Sequence, residues 1–388
     1  MKKIAIIGTN GLPGNYSGWD QLVKHLTANL RNDFEFIVYT SSIGVKRKLK
    51  NYQGTRLQYI PFKANGIQSI PYDICSLIHA AFTCDFIFIC GTSGCITLPL
   101  IRLINRYIVL NPDGQEWKRG KWNKGVQWFL KISENFGVRF AKEVIADNKK
   151  IQEYIAEEYC KDSMLIEYGG DQVLKIPMSE GTKIKYNIQP HNYVFKVCRI
   201  EPENNIHLII EAFRNIPEIP LILVGNWNHS EYGKNLREAN KGYKNLKLLD
   251  PIYDQKTLDE LRSNCKVYIH GHSVGGTNPS LVEAMNLGLC IVAYDVDYNR
   301  ETTENQAIYF QNPEELLSVM RKIEANEIKV SEYRAGMEII AKRRYLWHII
   351  TEKYREVFFQ LQTQKIRQRI YAHQGSPIFI PNDGNGIS

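Results

Sequence analysis

With 388 residues the chain is too long for one ordinary hydrophobic core, so two domains are expected. Its composition is globular, 44% hydrophobic and 23% charged without a low-complexity block, which excludes a disordered or fibrous chain. A net charge of +8 fits an anionic small ligand, an anionic membrane surface or nucleic acid, and does not choose among them.

In chain order, the opening MKKIAIIGTNG has too short an apolar run for a secretion signal and reads as a first strand. A helix around 18–31 and the strands FEFIVYT and RLQYIPF follow, then a helix near 73–82, the strand DFIFICG, a helix near 96–105 and RYIVLNPDG. An amphipathic segment over 121–141, the strand EVIADN, a helix near 149–159 and MLIEYGG complete the first series. The longest apolar region, SLIHAAFTCDFIFICG, is broken by Asp85 and is no membrane span. The pattern lapses from about 172 to 190, then restarts with YVFKVCRI, a helix over 204–214, PLILVGN, LKLLDPI, a helix over 255–264, KVYIHGHS, a helix after Asn278, CIVAYDV and AIYF. Alternating strands and helices indicate two doubly wound parallel sheets, which bind ligands at the carboxyl ends of their strands. The expected division is a first domain over 1–172, a linker over 173–190, a second domain over 191–335, helices over 336–362 placed to cross back to the first domain, and a tail over 363–388. Eight cysteines sit mostly inside apolar runs with no CxxC pair, as in a reducing cytosol.

The richest stretch for chemistry is GHSVGGTNPSLVEAMNLG, residues 271–288. Asn278 suits a helix N-cap and Pro279 the first helical position, so the amides after them, with the helix dipole, would form a phosphate site. Gly275 and Gly276 let a ligand approach the backbone, and Glu283 lies where a carboxylate would accept hydrogen bonds from ribose hydroxyls. The flat alternative is a glycine turn, a capped helix and a solvated glutamate. In VCRIEPENN, Arg199 ends a strand and suits a diphosphate, or an ordinary ion pair with Glu201 or Glu203. In GTNGLPGNYSGWD the glycines at 8, 11, 14 and 18 do not follow the dinucleotide spacing and suit a lip near a phosphate or sugar, or plain turns. NPDGQEWKRGKW sets Asp113 and Glu116 at a strand end, where carboxylates suit sugar hydroxyls or a base, or a hydrated turn. His270 and His272 have no accompanying acid or cysteine cluster, so no metal is expected, and His272 is read as a polar ligand contact. The basic runs over 46–50 and 118–125 are solvated faces that could help the first half rest on anionic lipid.

Together GTNGLPGNYSGWD, NPDGQEWKRGKW, VIADN, EYGGD, CRIEPENN, HGHSVGGTNPSLVEAM and AYDVDYNRE resemble the retaining GT-B glycosyltransferases, most of all a bacterial rhamnosyltransferase group of polysaccharide synthesis, over residues 1 to about 360. The resemblance implies an α/β fold of two Rossmann-like doubly wound domains facing a cleft, with a nucleotide-sugar mainly on the second and a saccharide acceptor on the first. It gives Arg199 the diphosphate-binding arginine position and Glu283 the second, ribose-binding glutamate of a Glu–seven residues–Glu motif. Asn204, His272, Gly276, Thr277, Asn278, Pro279, Ser280 and Leu281 complete the implied donor side, and Gly11, Tyr16, Gly18, Asp20, Asp113 and Glu116 the acceptor side or lip. Arg199, Asp113 and Glu283 are the expected catalytic set. Two departures stand out: the motif's first glutamate falls at Gly275, and the family's lysine after the arginine falls at Asn204.

The expected activity is metal-independent, cofactor-free transfer of a sugar such as L-rhamnose to an acceptor such as a lipid-linked saccharide, at the cytoplasmic face of a membrane. The rivals are a nucleotide-sugar epimerase, which needs no acceptor, and a binding protein without turnover. A nucleic-acid binder would need a basic groove with stacking aromatics, and no such motif occurs.

Overall fold

The computed structural model describes residues 1–14, 18–45, 47–120 and 122–374, with side chains to 366. The first domain runs β1 (Lys2–Ile7), α1 (Gly18–Leu30), β2 (Phe34–Ser41), β3 (Asn51–Tyr52), β4 (Thr55–Ile60), α2 (Ser69–Thr83), β5 (Phe86–Cys90), α3 (Leu98–Ile104), β6 (Ile108–Asn111), α4 (Lys124–Phe140), β7 (Glu143–Ala146), α5 (Lys149–Tyr159) and β8 (Met164–Leu165). The second runs α6 (Glu180–Tyr186), β9 (Val194–Val197), α7 (Ile206–Arg214), β10 (Leu221–Val224), α8 (Glu231–Ala239), β11 (Leu246–Leu249), α9 (Gln255–Ser263), β12 (Val267–His270), α10 (Pro279–Asn286), β13 (Ile291–Tyr294), α11 (Asp297–Thr302), β14 (Ile308–Phe310) and α12 (Pro313–Glu324), before α13 (Val330–Arg344) and α14 (Trp347–Gln374).

The first sheet has the order β3-β4-β2-β1-β5-β6-β7-β8 and the second β11-β10-β9-β12-β13-β14. Every pair is parallel except β3 with β4, a short hairpin that the strand pattern did not announce. Strands such as FIFIC are apolar throughout because both faces are covered, as parallel sheets require. In each sheet the strand order reverses at its centre, between β1 and β5 and between β9 and β12, and each reversal opens a crevice at the carboxyl edge.

Several elements depart from the sequence reading. Residues 180–186, inside the expected linker, form α6, which Ser179 caps by accepting from the Thr182 amide. Helices α8, α11 and α12 were not anticipated: the first two are short and polar, whereas α12 carries a buried stripe of Leu316, Met320 and Ile323 that the reading passed over. Helix α13 begins at Val330, before the expected boundary of 336, and α14 runs to Gln374, past 362 into the expected tail.

Helix α14 returns to the first domain. Phe358 packs on Phe34 and Phe88, Arg355 pairs with Asp33 at 2.7 Å, and Lys365 with Asp85 at 2.9 Å. At its start Trp347 is 3% exposed, stacks on His25 at 4.3 Å, and donates from Nε1 to Gln172. Gly169 leaves room for that indole, since a Cβ there would lie 2.4 Å from the ring. The chain therefore crosses between domains twice, and the crossings are packed together. Among the described residues no helix is long and apolar enough to cross a membrane, and all eight cysteines are free.

Candidate functional site

The central crevice of the second sheet lies between the ends of β9 and β12. Arg199, just past β9, is exposed and forms no ion pair among the described residues, so the expected alternative pairing with Glu201 or Glu203 does not occur. Its backbone is held instead: the Arg199 carbonyl accepts from Asn204 Nδ2 at 2.9 Å and from the Glu201 amide at 3.0 Å. Asn204 is buried, and its Oδ1 lies 3.2 Å from His272 Nδ1. Because Asn204 spends its amide hydrogens on Arg199, its oxygen faces the imidazole, and His272 Nδ1 is the donor. Where a lysine is expected in the family, this asparagine thus joins the Arg199 turn to the loop after β12.

His272 is driven down to about 3 by burial, helped by the charges of Arg119, Arg199 and Lys196, so it is neutral at ordinary pH. His270 is likewise held well below its usual range by burial. Lys196 is a residue the sequence reading passed over, although a lysine inside YVFKVC is itself an anomaly. It is 1% exposed, its ammonium is disfavoured by burial, and no carboxylate offsets that cost. Burial therefore holds Lys196 toward its neutral amine, and the exposed charge of the crevice is that of Arg199.

The glycine loop leads into α10. Asn278 caps the helix, accepting at Oδ1 from the Ser280 amide at 3.0 Å and from the Ser280 hydroxyl at 2.8 Å. This corrects the expectation of free amides there. Pro279 has none, the Ser280 amide is taken by the cap, and those of Leu281 and Val282 donate to the Asn278 carbonyl. The Leu281 side chain is wholly buried in the core. An anion would find its backbone donors in the loop before the cap rather than in the first turn.

Glu283 is not a solvated side chain. Its Oε1 accepts from Gln172 Nε2 at 2.6 Å and its Oε2 from Arg262 at 2.8 Å. Burial raises the carboxyl above its usual range while Arg262 opposes that rise. Arg262, whose side chain is only 3% exposed, leaves Nε and Nη1 without partners among the described residues. A carboxylate has about four acceptor positions, so two contacts leave Glu283 able to accept from a diol.

From the first domain, Asp113 sits in a left-handed conformation after β6, its amide donating to Asn111 Oδ1. Its carboxylate lies 3.6 Å from Arg119, which also stands 2.8 Å from Glu116. Arg119 is 8% exposed and feels Glu201 and Glu203 of the second domain. The expectation of a solvated basic face over 118–125 therefore fails at this residue: its charge is turned inward by two carboxylates.

Contacts between the domains close the crevice. A Cβ on Gly114 would lie 2.2 Å from Gly275 Cα, one on Gly18 2.6 Å from Pro279 Cγ, and one on Gly276 1.8 Å from Asp147 Oδ1. Thr277 donates from its hydroxyl to the Asp147 carbonyl, and Asn148 reaches Glu301 at 2.9 Å. Asp147 is wholly buried and its carboxyl is pushed well up by burial, then by the charge of Asp113. Gly275, at φ +126°, accounts for the missing glutamate through its backbone, a conformation that side chains rarely adopt, while the close approach of the two backbones requires glycine at Gly114. In the lip, a Cβ on Gly11 would strike Thr40 and one on Gly14 would strike Asp20, which is buried. These residues shape the lip from within. Tyr16 lies outside the described residues. Among the described residues no group of three His, Cys, Asp or Glu side chains is placed to hold a metal.

Residues 180–344 match the family described as glycosyl transferases group 1, and residues 1–171 match one described as a domain of unknown function (DUF1972). No curated protein matches the sequence. Among solved structures, sucrose-phosphate synthase from Thermosynechococcus elongatus aligns with a TM-score of 0.79 at 15% identity, over 94% of this chain and 100% of its own. HepE from Anabaena in complex with UDP-glucose aligns with a TM-score of 0.74 at 17% identity, over 93% and 100%. A glycosyltransferase from Rickettsia africae aligns with a TM-score of 0.69 at 12% identity, over 93% and 98%. The fold is GT-B, two Rossmann-like domains with parallel sheets of eight and six strands. The match over the second domain supports a glycosyltransferase.

Proposed function

We propose that the protein is a retaining, metal-independent glycosyltransferase that moves a sugar, L-rhamnose in the first instance, from a nucleoside-diphosphate donor to a lipid-linked saccharide in bacterial surface polysaccharide synthesis. The observation carrying this reading is the exposed guanidinium at the second crevice: Arg199 forms no ion pair among the described residues, and its turn is tied through Asn204 to a neutral His272. Such a site gains most from a diphosphate. That HepE binds UDP-glucose on the same fold supports a nucleotide-sugar donor.

In this reading Arg199 and the amides of the glycine loop hold the diphosphate, and Glu283, steadied by Arg262 and Gln172, accepts from the ribose. The acceptor hydroxyl comes from the side of Asp113, whose carboxylate orients it. The bond from the anomeric carbon to the phosphate oxygen breaks as the acceptor oxygen bonds on the same face. The acceptor proton passes to the leaving phosphate oxygen, and Arg199 stabilises the charge that develops there. Glycine-on-glycine contact excludes water when the domains close, so donor entry requires opening about the paired crossings at Gln172 and Trp347. The working site is the cytoplasmic face of a membrane, with no nucleic acid involved.

The test incubates the protein with labelled nucleotide-sugars, with and without lipid-linked acceptors, in the presence of a strong chelator. Acceptor-dependent product in chelator supports the proposal, and activity restored only by a divalent ion removes its metal-free part. Conversion without acceptor indicates epimerisation, and tight donor binding with neither indicates a binding protein; either outcome removes the transfer reading.

A further inference from the structure

The sheet of the first domain is covered on one face by α1 and α14, and on the other by α2, α3, α4 and α5. Helices α2, α3 and α4 lie side by side, each burying one flank against the strands. Their opposite flanks should be polar in a solvated layer. They are not. On α2, Ile78 and Phe82 stand one turn apart and Phe82 is 71% exposed. On α3, Leu100, Leu103 and Ile104 form one stripe, with Leu103 81% exposed. Trp128 on the second turn of α4 is 69% exposed, and Ile67 extends the face from the turn before α2.

The charges on this face have one sign. Arg102, Arg106, Lys124 and Arg139 are exposed, whereas the acids of the three helices, Asp73 and Glu134, are both buried. Apolar tips ringed by cations without an exposed acid match an anionic lipid surface, which takes up side chains of any shape and attracts each cation. The amino ends of α2, α3 and α4 follow strands at the carboxyl edge, and Tyr72 of α2 donates to the Thr9 carbonyl of the lip. The face therefore begins where the interdomain crevice opens.

We propose that the outer face of α2, α3 and α4 docks on an anionic bilayer, its aliphatic and aromatic tips entering the interface. The contact differs from that expected of the basic runs over 46–50 and 118–125: apolar residues outside those runs drive it and scattered cations steer it. It rests on the transfer reading in one respect only, that a lipid-linked acceptor would then enter the crevice from the membrane side.

The experiment is flotation of the full chain with vesicles of phosphatidylcholine alone and of phosphatidylcholine with phosphatidylglycerol. The expected result is binding to the anionic vesicles, weakened by salt and roughly fivefold by each of Arg102→Gln and Arg106→Gln. Leu103→Glu and Phe82→Glu should each lower binding about tenfold or more while melting temperature and nucleotide-sugar affinity are unchanged. Failure of the native protein to float, or flotation of both glutamate variants undiminished from the native protein's, overturns the proposal. So does concentration-dependent dimerisation that Leu103→Glu abolishes in a protein that binds no vesicle, which makes the face a self-interface. Flotation that persists in a protein binding no nucleotide-sugar leaves the docking face standing and removes the transfer reading.

Discussion

The two crevices are built alike and furnished differently. After β1 the chain makes a lip whose glycines are filled by neighbours, Gly11 against Thr40 and Gly14 against Asp20. After β9 and β12 it places Arg199 and His272 beside a loop in which Gly276 meets Asp147 of the other domain, while Gly271 and Gly275 face Asn204 and His272 of their own. One strand order thus yields a packed lip in the first domain and, in the second, a crevice that presents an exposed arginine.

The broadest way to break this comparison is to uncouple the domains. Trp347→Ala should destabilise the chain by about 3–5 kcal/mol, because it empties a buried site and strands the Gln172 acceptor. Denaturant unfolding measures it; a change under about 1 kcal/mol would show that the crossing does not hold the domains. Arg199→Ala should raise the barrier by about 2–4 kcal/mol with little change in melting temperature, as expected of an exposed residue serving a leaving group. An unchanged kcat would remove it from the chemistry.

Gly276→Ala sharpens the comparison, since its new methyl must displace Asp147. It should cost about a hundredfold in kcat with the fold intact, whereas Gly44→Ala, at a glycine with open space around it, should leave activity nearly alone. Equal rates for the two would refute closure as drawn. Glu283→Gln should weaken nucleotide affinity about tenfold, read by calorimetry, because it removes charge from an acceptor while leaving its shape.

The smallest effect is on pH. His272 falls from 6.5 to about 3 on folding, so its contribution to stability is fully present above pH 6.5 and is lost as the pH falls toward 3. Asp147 is raised and acts oppositely, its contribution being lost as the pH climbs above the usual carboxylate range. Melting temperature against pH should have a shallower acid slope in His272→Gln and a shallower slope at higher pH in Asp147→Asn, His270 and Asp73 supplying the remainder.

Much of the fold was legible. Strands such as FIFIC and LILV are apolar runs bounded by glycine or polar loops, and a parallel sheet demands that pattern wherever it is buried on both faces. Helices α6, α8 and α11 escaped because seven, nine and six mostly polar residues offer too few apolar repeats to establish a period. In the site, Arg199, Asn278 and Glu283 could be picked out because capping and strand ends are local features. Arg119 could not, since its place in KRGKW says nothing of the two carboxylates that turn it inward.

The order of residues by itself determined two alternating α/β halves, a helix opening at Asn278-Pro279 and an arginine at the end of a central strand, because each depends on near neighbours along the chain. Only the tertiary structure decided that Glu283 is gripped by Arg262 and Gln172, and that Gly114 must lack a side chain to meet Gly275. These depend on which surfaces the fold brings within a few ångströms of each other, across separations of 21 to 161 residues that no local pattern records.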